Sequence, residues 1–250
     1  MLNLFKNKKI ALTKQFPLNF IDIHSHLLPG IDDGAKSLDE SITLIKRMHE
    51  YGIKNFICTP HIMEGVWENT PKIIKQKLHE LNNSMNSIGI HDITITAAAE
   101  YLLDNNFEKL LDTKDLLTLK DTKILVEMSY FNAPIHIYEI LFKIQVKGYK
   151  PILAHPERYA YLHQNYTEFQ KLKDAGCLFQ LNLLSLSNYY GKAVQKTAHY
   201  LLKNNFIDFV GTDVHHNKHL DYLETINEPK ILKLLLPILE NNTQFISSKI

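Results

Sequence analysis

The chain has 250 residues, 45% of them apolar and 22% charged, with a formal net charge of +1. That length and apolar share suit one large α/β domain, because α/β barrels reach this size as single units, and the near-zero charge excludes a global field for nucleic acid or a membrane surface. The two cysteines, Cys58 and Cys177, are too few for a disulfide framework and point to a reducing, cytoplasmic setting.

Residues 1–19 read as an N-terminal arm. Its lysines, Lys6, Lys8, Lys9 and Lys14, form a solvated charge run, and it has no apolar stretch long enough for a signal peptide. No apolar run approaches the ~20 residues of a membrane span. From Phe20 the chain alternates strand and helix. Phe20–His24 reads as the first strand, followed by a helix over Ser37–Tyr51. Ser37 is its N-cap, Glu40 completes a capping box, and Gly52 closes it. Phe56–Cys58 is a second strand, Pro71–Ser87 a helix and Ile93–Ala98 a third strand. Lys123–Glu127, Pro151–Ala154, Cys177–Leu181 and Phe206–Val210 follow as strands. Helices over Pro134–Lys147, Thr167–Ala175 and Lys192–Asn204 separate them. The domain is expected to span residues 20–240, with Asn241–Ile250 as a polar C-terminal tail. The later strands are unbroken apolar runs, the mark of a parallel sheet buried on both faces.

Histidines and acids recur where these strands end: His24 and His26, His61, Glu100, Glu127, His155, then Asp213 and His215. In parallel β/α folds the C-terminal strand ends build the active site. A closed barrel brings seven such ends to one mouth, whereas an open sheet spreads them apart, so the pattern favours a barrel. A lone strand-end histidine is usually structural. Buried carboxylates at Glu100 and Glu127 are another matter, because each is costly unless paired or metal-bound. The mixed imidazole and carboxylate set suits zinc, manganese or iron better than calcium. His49, His79, His91, His136, His163 and His199 read as surface residues, and His216 and His219 stay undecided.

Only two arginines occur, Arg47 and Arg158. Arg158 stands three residues beyond His155, at the expected mouth, where a planar guanidinium can grip phosphate at two points. A cysteine-based phosphatase is excluded, since neither cysteine has an arginine six residues on. Trp67, Tyr189 and Tyr190 lie on connections that follow strands, where they can either stack on a substrate ring or pack the loops.

Together, His24-Ser25-His26, Asp32-Asp33-Gly34, Thr59-Pro60-His61, Glu100, Glu127, His155-Pro156-Glu157-Arg158 and Gly211-Thr212-Asp213-Val214-His215 resemble the PHP (polymerase and histidinol phosphatase) superfamily. Within it, the stretch from Asp22 to Ser37 is similar to the bacterial protein-tyrosine phosphatases of capsule and exopolysaccharide operons. The resemblance implies a distorted TIM-like (β/α)7 parallel barrel with three divalent ions, manganese first and iron or zinc as alternatives. By position, His24, His26, Glu100 and Asp213 would hold the first ion, and Glu100, Glu127 and His155 the second. Asp33, His61 and His215 would hold the third. Arg158 would bind phosphate. On chemical grounds apart from the resemblance, His215 or His216 could donate a proton to the leaving group. The implied substrate is a phosphotyrosine protein, an autophosphorylating tyrosine kinase of polysaccharide synthesis, and a homo-oligomer is open. A departure is the lack of a second arginine after His215, where Lys218 or His219 would have to serve. A small-molecule phosphatase such as histidinol phosphatase, and a metal-binding regulator without turnover, are the rival expectations.

Overall fold

The computed structural model describes residues 10–113 and 115–246, and every ladder between its named strands is parallel. The strands are β1 (Ile21–Asp22), β2 (Asn55–Cys58), β3 (His61–Ile62), β4 (Thr94–Ala97), β5 (Glu100–Leu102), β6 (Lys123–Glu127), β7 (Lys150–Ala154), β8 (Leu178–Asn182) and β9 (Phe209–Gly211). Two of the seven expected strands are each followed by a further short one. β3 follows β2 after Thr59-Pro60, where proline has no N–H for the ladder, and β5 follows β4 after Ala98-Ala99. The consequence is two sheets, ordered β1-β2-β4 and β3-β5-β6-β7-β8-β9, where the barrel expectation requires one unbroken ring.

Backbone hydrogen bonds cross both seams. Ala98 N–H donates to Cys58 O and Glu100 N–H to Pro60 O. Beyond β1 and β9, Asp213 N–H donates to His24 O (2.7 Å) and His26 N–H to Val214 O (3.0 Å). Asp22 staples the same seam, accepting from the backbone N–H and hydroxyl of Thr212.

The helices are α1 (Leu38–Glu50), α2 (Pro71–Ser87), α3 (Asn105–Thr113), α4 (Ile137–Val146), α5 (Tyr166–Asp174), α6 (Lys192–Lys203), α7 (Asn217–Leu223) and α8 (Pro229–Asn241). Ser37 caps α1 by accepting from Glu40 N–H, while the Glu40 carboxylate reaches back to Lys36 N–H. Helices α3, α7 and α8 lie outside the sequence-based expectation. The first two are short, and Pro237 interrupts the periodicity of α8.

Strand alternation divides the apolar core in two. Phe56, Ile124, Val126, Leu153 and Val210 join the large cluster packed under the helices. Their neighbours Ile57, Leu125, Ile152 and Phe209 join a smaller cluster with Ile21, Ile23, Ala98 and Phe245. Segments near both ends of the described residues pack onto these two clusters. Leu12 is buried, with its N–H on Ile226 O. Residues 242–246, expected as tail, are instead built in. The buried Asn242 side chain donates to Ile21 O and Val210 O and accepts from Val210 N–H. Residues 1–9, with Lys6, Lys8 and Lys9, and residues 247–250 lie outside the described residues.

Candidate active site at the strand ends

The site follows from the same alternation. Glu127 is two residues beyond Leu125, and Glu100 two beyond Ala98, so each carboxylate continues the face whose apolar members form the smaller cluster. Burial is complete or nearly so for His24, His26, Glu100, Glu127, His155 and Asp213. Two of these residues end their strands in left-handed backbone, His155 at φ 36° and Asp213 at φ 51°. For non-glycine residues that conformation is uncommon and costs about 1–3 kcal/mol. Two glycines make room for the histidines. A Cβ on Gly211 would sit 2.5 Å from His24 Cβ, and one on Gly34 would sit 2.2 Å from His26 O.

All nine expected ligands are brought together. His24 Nε2 is 3.1 Å from Glu100 Oε2 and 3.3 Å from Asp213 Oδ1. His26 Nε2 is 3.3 Å from the same Asp213 oxygen. His61 Nδ1 is 2.9 Å from Glu127 Oε1 and 3.2 Å from Glu100 Oε2, and His155 Nε2 is 3.0 Å from Glu100 Oε1. Asp33 Oδ1 reaches His215 Nε2 at 3.4 Å and His61 Nε2 at 3.5 Å. These residues form four overlapping sets whose donor atoms lie within 4.8 Å of one another: His26, Asp33, His61 and His215; His24, His26 and Asp213; His24, Glu100 and His155; His61, Glu100 and Glu127. Burial would push the Glu100 and Asp213 carboxyls up, but the surrounding imidazoles, His24 first, hold both well below the usual carboxylate range.

The donor set fits divalent ions on two further observations. Buried His61 Nδ1 and Glu127 Oε1 face each other at 2.9 Å but are not aligned for a hydrogen bond, a costly state for atoms that can coordinate instead. Outer side chains also aim the rings. Gln180 Nε2 donates to Leu181 O, so its Oε1 faces His24 Nδ1 at 2.7 Å and leaves His24 Nε2 for the cluster. Asp32 does the same for His26, with Oδ2 2.8 Å from Nδ1, and it accepts from Gly34 N–H as well. Asn182 donates to Asp213 Oδ2 at 2.7 Å. The legible signal for Asp32 was its place beside Asp33. Gln180 and Asn182 carry a weaker one, polar residues two apart at the end of an apolar strand.

Arg158 stands where the cluster opens. Its Nη1 donates to Asp213 Oδ2 at 2.8 Å. Its guanidinium lies between two rings, 4.8 Å from the centroid of Tyr130 and 4.2 Å from that of Tyr190. Tyr130, not singled out in the sequence, also stacks on His155 at 5.7 Å. A cavity of about 230 Å³ adjoins, lined by Asp33, Arg158, Tyr189, Tyr190, His215, His216 and His219.

Of the two roles open to the connection aromatics, their contacts match packing. Tyr190 is occupied by Arg158. Tyr189 packs edge-on against His219, Tyr190 and Tyr222, and Trp67 pairs with Met63 in a short antiparallel bridge. His219 also differs from a phosphate clamp. It is buried, Nδ1 accepts from His215 N–H, Nε2 faces Tyr189 Oη at 3.1 Å, and burial pushes its pKa down to about 3. A neutral, engaged ring holds the wall. Lys218 is exposed, with Nζ 5.9 Å from the centroid of the Tyr189 ring. Arg47 binds Asn217, Asp221 and Glu224 and ties α1 to α7, away from the cluster.

With this geometry in view, residues 20–223 match the family described as capsular polysaccharide synthesis, CpsB/CapC, and the chain belongs to that family. It is 33% identical over 201 residues to the tyrosine-protein phosphatase YwqE of Bacillus subtilis, covering 79% of this chain and 78% of the relative. It is 30% identical to the tyrosine-protein phosphatase CpsB of Streptococcus pneumoniae, covering 78% and 82%. Among solved structures, one described as YwqE from B. subtilis and CpsB from S. pneumoniae, metal-dependent tyrosine phosphatases, superposes with a TM-score of 0.76 at 29% identity, over 88% of this chain and 94% of that one. A lactonase from Listeria monocytogenes shares the fold alone, with a TM-score of 0.51 and 11% identity over 94% and 93%.

Proposed function

We propose that this chain is a metal-dependent phosphatase that hydrolyses phosphotyrosine on proteins. The carrying observation is the convergence of nine imidazole and carboxylate side chains beside one guanidinium. The two sheets read as a distorted (β/α)7 barrel whose mouth gathers them. His24, His26, Glu100 and Asp213 would hold one ion, Glu100, Glu127 and His155 a second, and Asp33, His61 and His215 a third. Manganese is the first choice, with iron or zinc as alternatives. When bound, such ions supply Lewis acidity that neutralises phosphate oxygens and brings the pKa of water near ~7.

The chain's own residues do the rest. Arg158 presents its guanidinium edge to phosphate oxygens, because Tyr130 and Tyr190 occupy its faces. Gln180 and Asp32 keep the Nε2 atoms of His24 and His26 turned inward. His216, at the cavity, can pass a proton to the leaving oxygen, a part His215 could take only if it did not hold the third ion. A tyrosine phenol, with a pKa near ~10, needs little such help. Lys218, beside the Tyr189 ring of the cavity wall, can serve as a second phosphate contact. The cavity of about 230 Å³ beside Arg158 has room for a phosphorylated side chain. The proposed substrate is an autophosphorylating tyrosine kinase of capsular or exopolysaccharide synthesis, met in the cytoplasm. Among the described residues no helix is long and apolar enough to cross a membrane.

The test is phosphate release from phosphotyrosine peptides by purified protein given manganese. Chelation and His155→Ala should each abolish it. Turnover insensitive to both would overturn the reading, and full metal loading without hydrolysis of any phosphoester would favour the regulator.

A further inference from the structure

The loop after β6 leaves the site and then exposes large apolar side chains. Phe131 is 92% exposed and Ile135 91% exposed, more than any other large apolar residue among those described. Helix α4 continues the patch. Its buried residues Ile137, Ile140, Leu141 and Ile144 face the core, while Tyr138, Phe142 and Val146 lie on the opposite face, 40%, 66% and 67% exposed. On α4 they recur at spacings of four, one stripe along the helix, and Ile135 stands two residues before its start. Singly exposed apolar residues are ordinary, but a contiguous run marks a contact surface.

Position says what the surface contacts. Phe131 directly follows Tyr130, whose ring rests on Arg158 and stacks on His155. The turn between them is held by Ser129, whose hydroxyl accepts Phe131 N–H and whose carbonyl accepts the Tyr161 hydroxyl. Phe131, where the exposed apolar run begins, is therefore joined to the phosphate site through an adjacent residue of one hydrogen-bonded loop. A phosphotyrosine on a protein arrives with chain on either side of it, and that chain must lie beside the mouth.

We infer that Phe131, Ile135 and the outer stripe of α4 form a docking surface for apolar residues flanking the phosphotyrosine of the protein substrate. This rests on the phosphatase reading above and assigns its selectivity to a surface outside the metal cluster. Arg158 and the cluster recognise the phosphoryl group, which any phosphomonoester carries. The Phe131 surface recognises the polypeptide.

The experiment compares the metal-loaded wild-type protein with the Phe131→Ala/Ile135→Ala double variant on three substrates. These are p-nitrophenyl phosphate, a phosphotyrosine peptide with leucine and phenylalanine flanks, and the same peptide with glycine and serine flanks. Both substituted side chains are exposed, so the variant should fold, and equal melting temperatures check this. For the apolar-flanked peptide KM should rise about tenfold with kcat unchanged, the scale of losing one or two buried apolar contacts. The other two substrates should change less than twofold. Phe142→Ala/Val146→Ala should give a smaller rise for the same peptide alone. An unchanged KM for the apolar-flanked peptide, or an equal rise for all three substrates, overturns the docking surface and leaves the phosphatase reading standing. A shift of solution mass from dimer to monomer with KM unchanged also overturns it, in favour of a second copy as the occupant. A wild-type protein that hydrolyses none of the three overturns the phosphatase reading and this inference with it.

Discussion

The two ends of the strand assembly are built on opposite principles. At the base, polar groups are few and satisfied. Asn242 makes three hydrogen bonds to the backbone of β1 and β9, and Phe245 packs edge-on against Phe209 at 4.9 Å between centroids. At the mouth, ionisable groups crowd together, His61 Nδ1 and Glu127 Oε1 face each other buried and without a hydrogen bond, and two residues sit in left-handed backbone. The base holds the fold together. The mouth spends some of that stability on pre-positioned donors, as functional sites commonly do.

The sharpest way to break this contrast is at Glu100, which contacts His24, His61 and His155. Glu100→Gln should reduce kcat/KM by more than the 10–100-fold typical of supporting residues around a metal, and elemental analysis should show lower metal content. Arg158→Lys should cost about 10²–10³ in kcat/KM on aryl phosphates, because an ammonium can neither bind phosphate at two points nor fill the gap between two rings. Wild-type metal content in that variant would keep the loss assigned to phosphate binding. Gln180→Ala should weaken metal affinity about 10–100-fold in calorimetric titration, since His24 loses the group that orients it.

Substitutions at the base should reverse the pattern. Asn242→Ala strands the N–H and C=O of Val210 and the C=O of Ile21, at a cost of about 3 kcal/mol. Thermal melting should fall by roughly 6–12 °C, with kcat/KM nearly intact below the transition. The smallest effect lies on the surface, where hydrogen bonding by Lys54, then His49, holds the Asp92 carboxyl down to about 2. A carboxyl lowered on folding stabilises above its unfolded pKa and loses that contribution as pH falls through the folded one. Asp92→Asn should melt slightly below wild type at neutral pH, and the gap should close as pH falls from about 4 toward 2.

Most of the ligand set was legible because chemistry and strand grammar coincide. Glu100 and Glu127 each close an apolar run, which is anomalous for a carboxylate unless something compensates it. Asp32 was readable as part of Asp32-Asp33-Gly34, but not as the residue that orients His26. Tyr130 was hidden. It lies in a loop with no periodicity, and its role depends on Arg158, 28 positions away. His219 misled, because position after His215 does not reveal burial.

Sequence alone determined the parallel β/α alternation, the identity of the donors and their placement at strand ends, since these follow from side-chain chemistry and a two-residue period along each strand. Only the tertiary structure decided how the strands divide into two sheets, that residues 242–246 close the base, and that Arg158 lies between Tyr130 and Tyr190. Those features depend on contacts between residues far apart in the chain, and the local pattern does not encode which distant surface a side chain will meet.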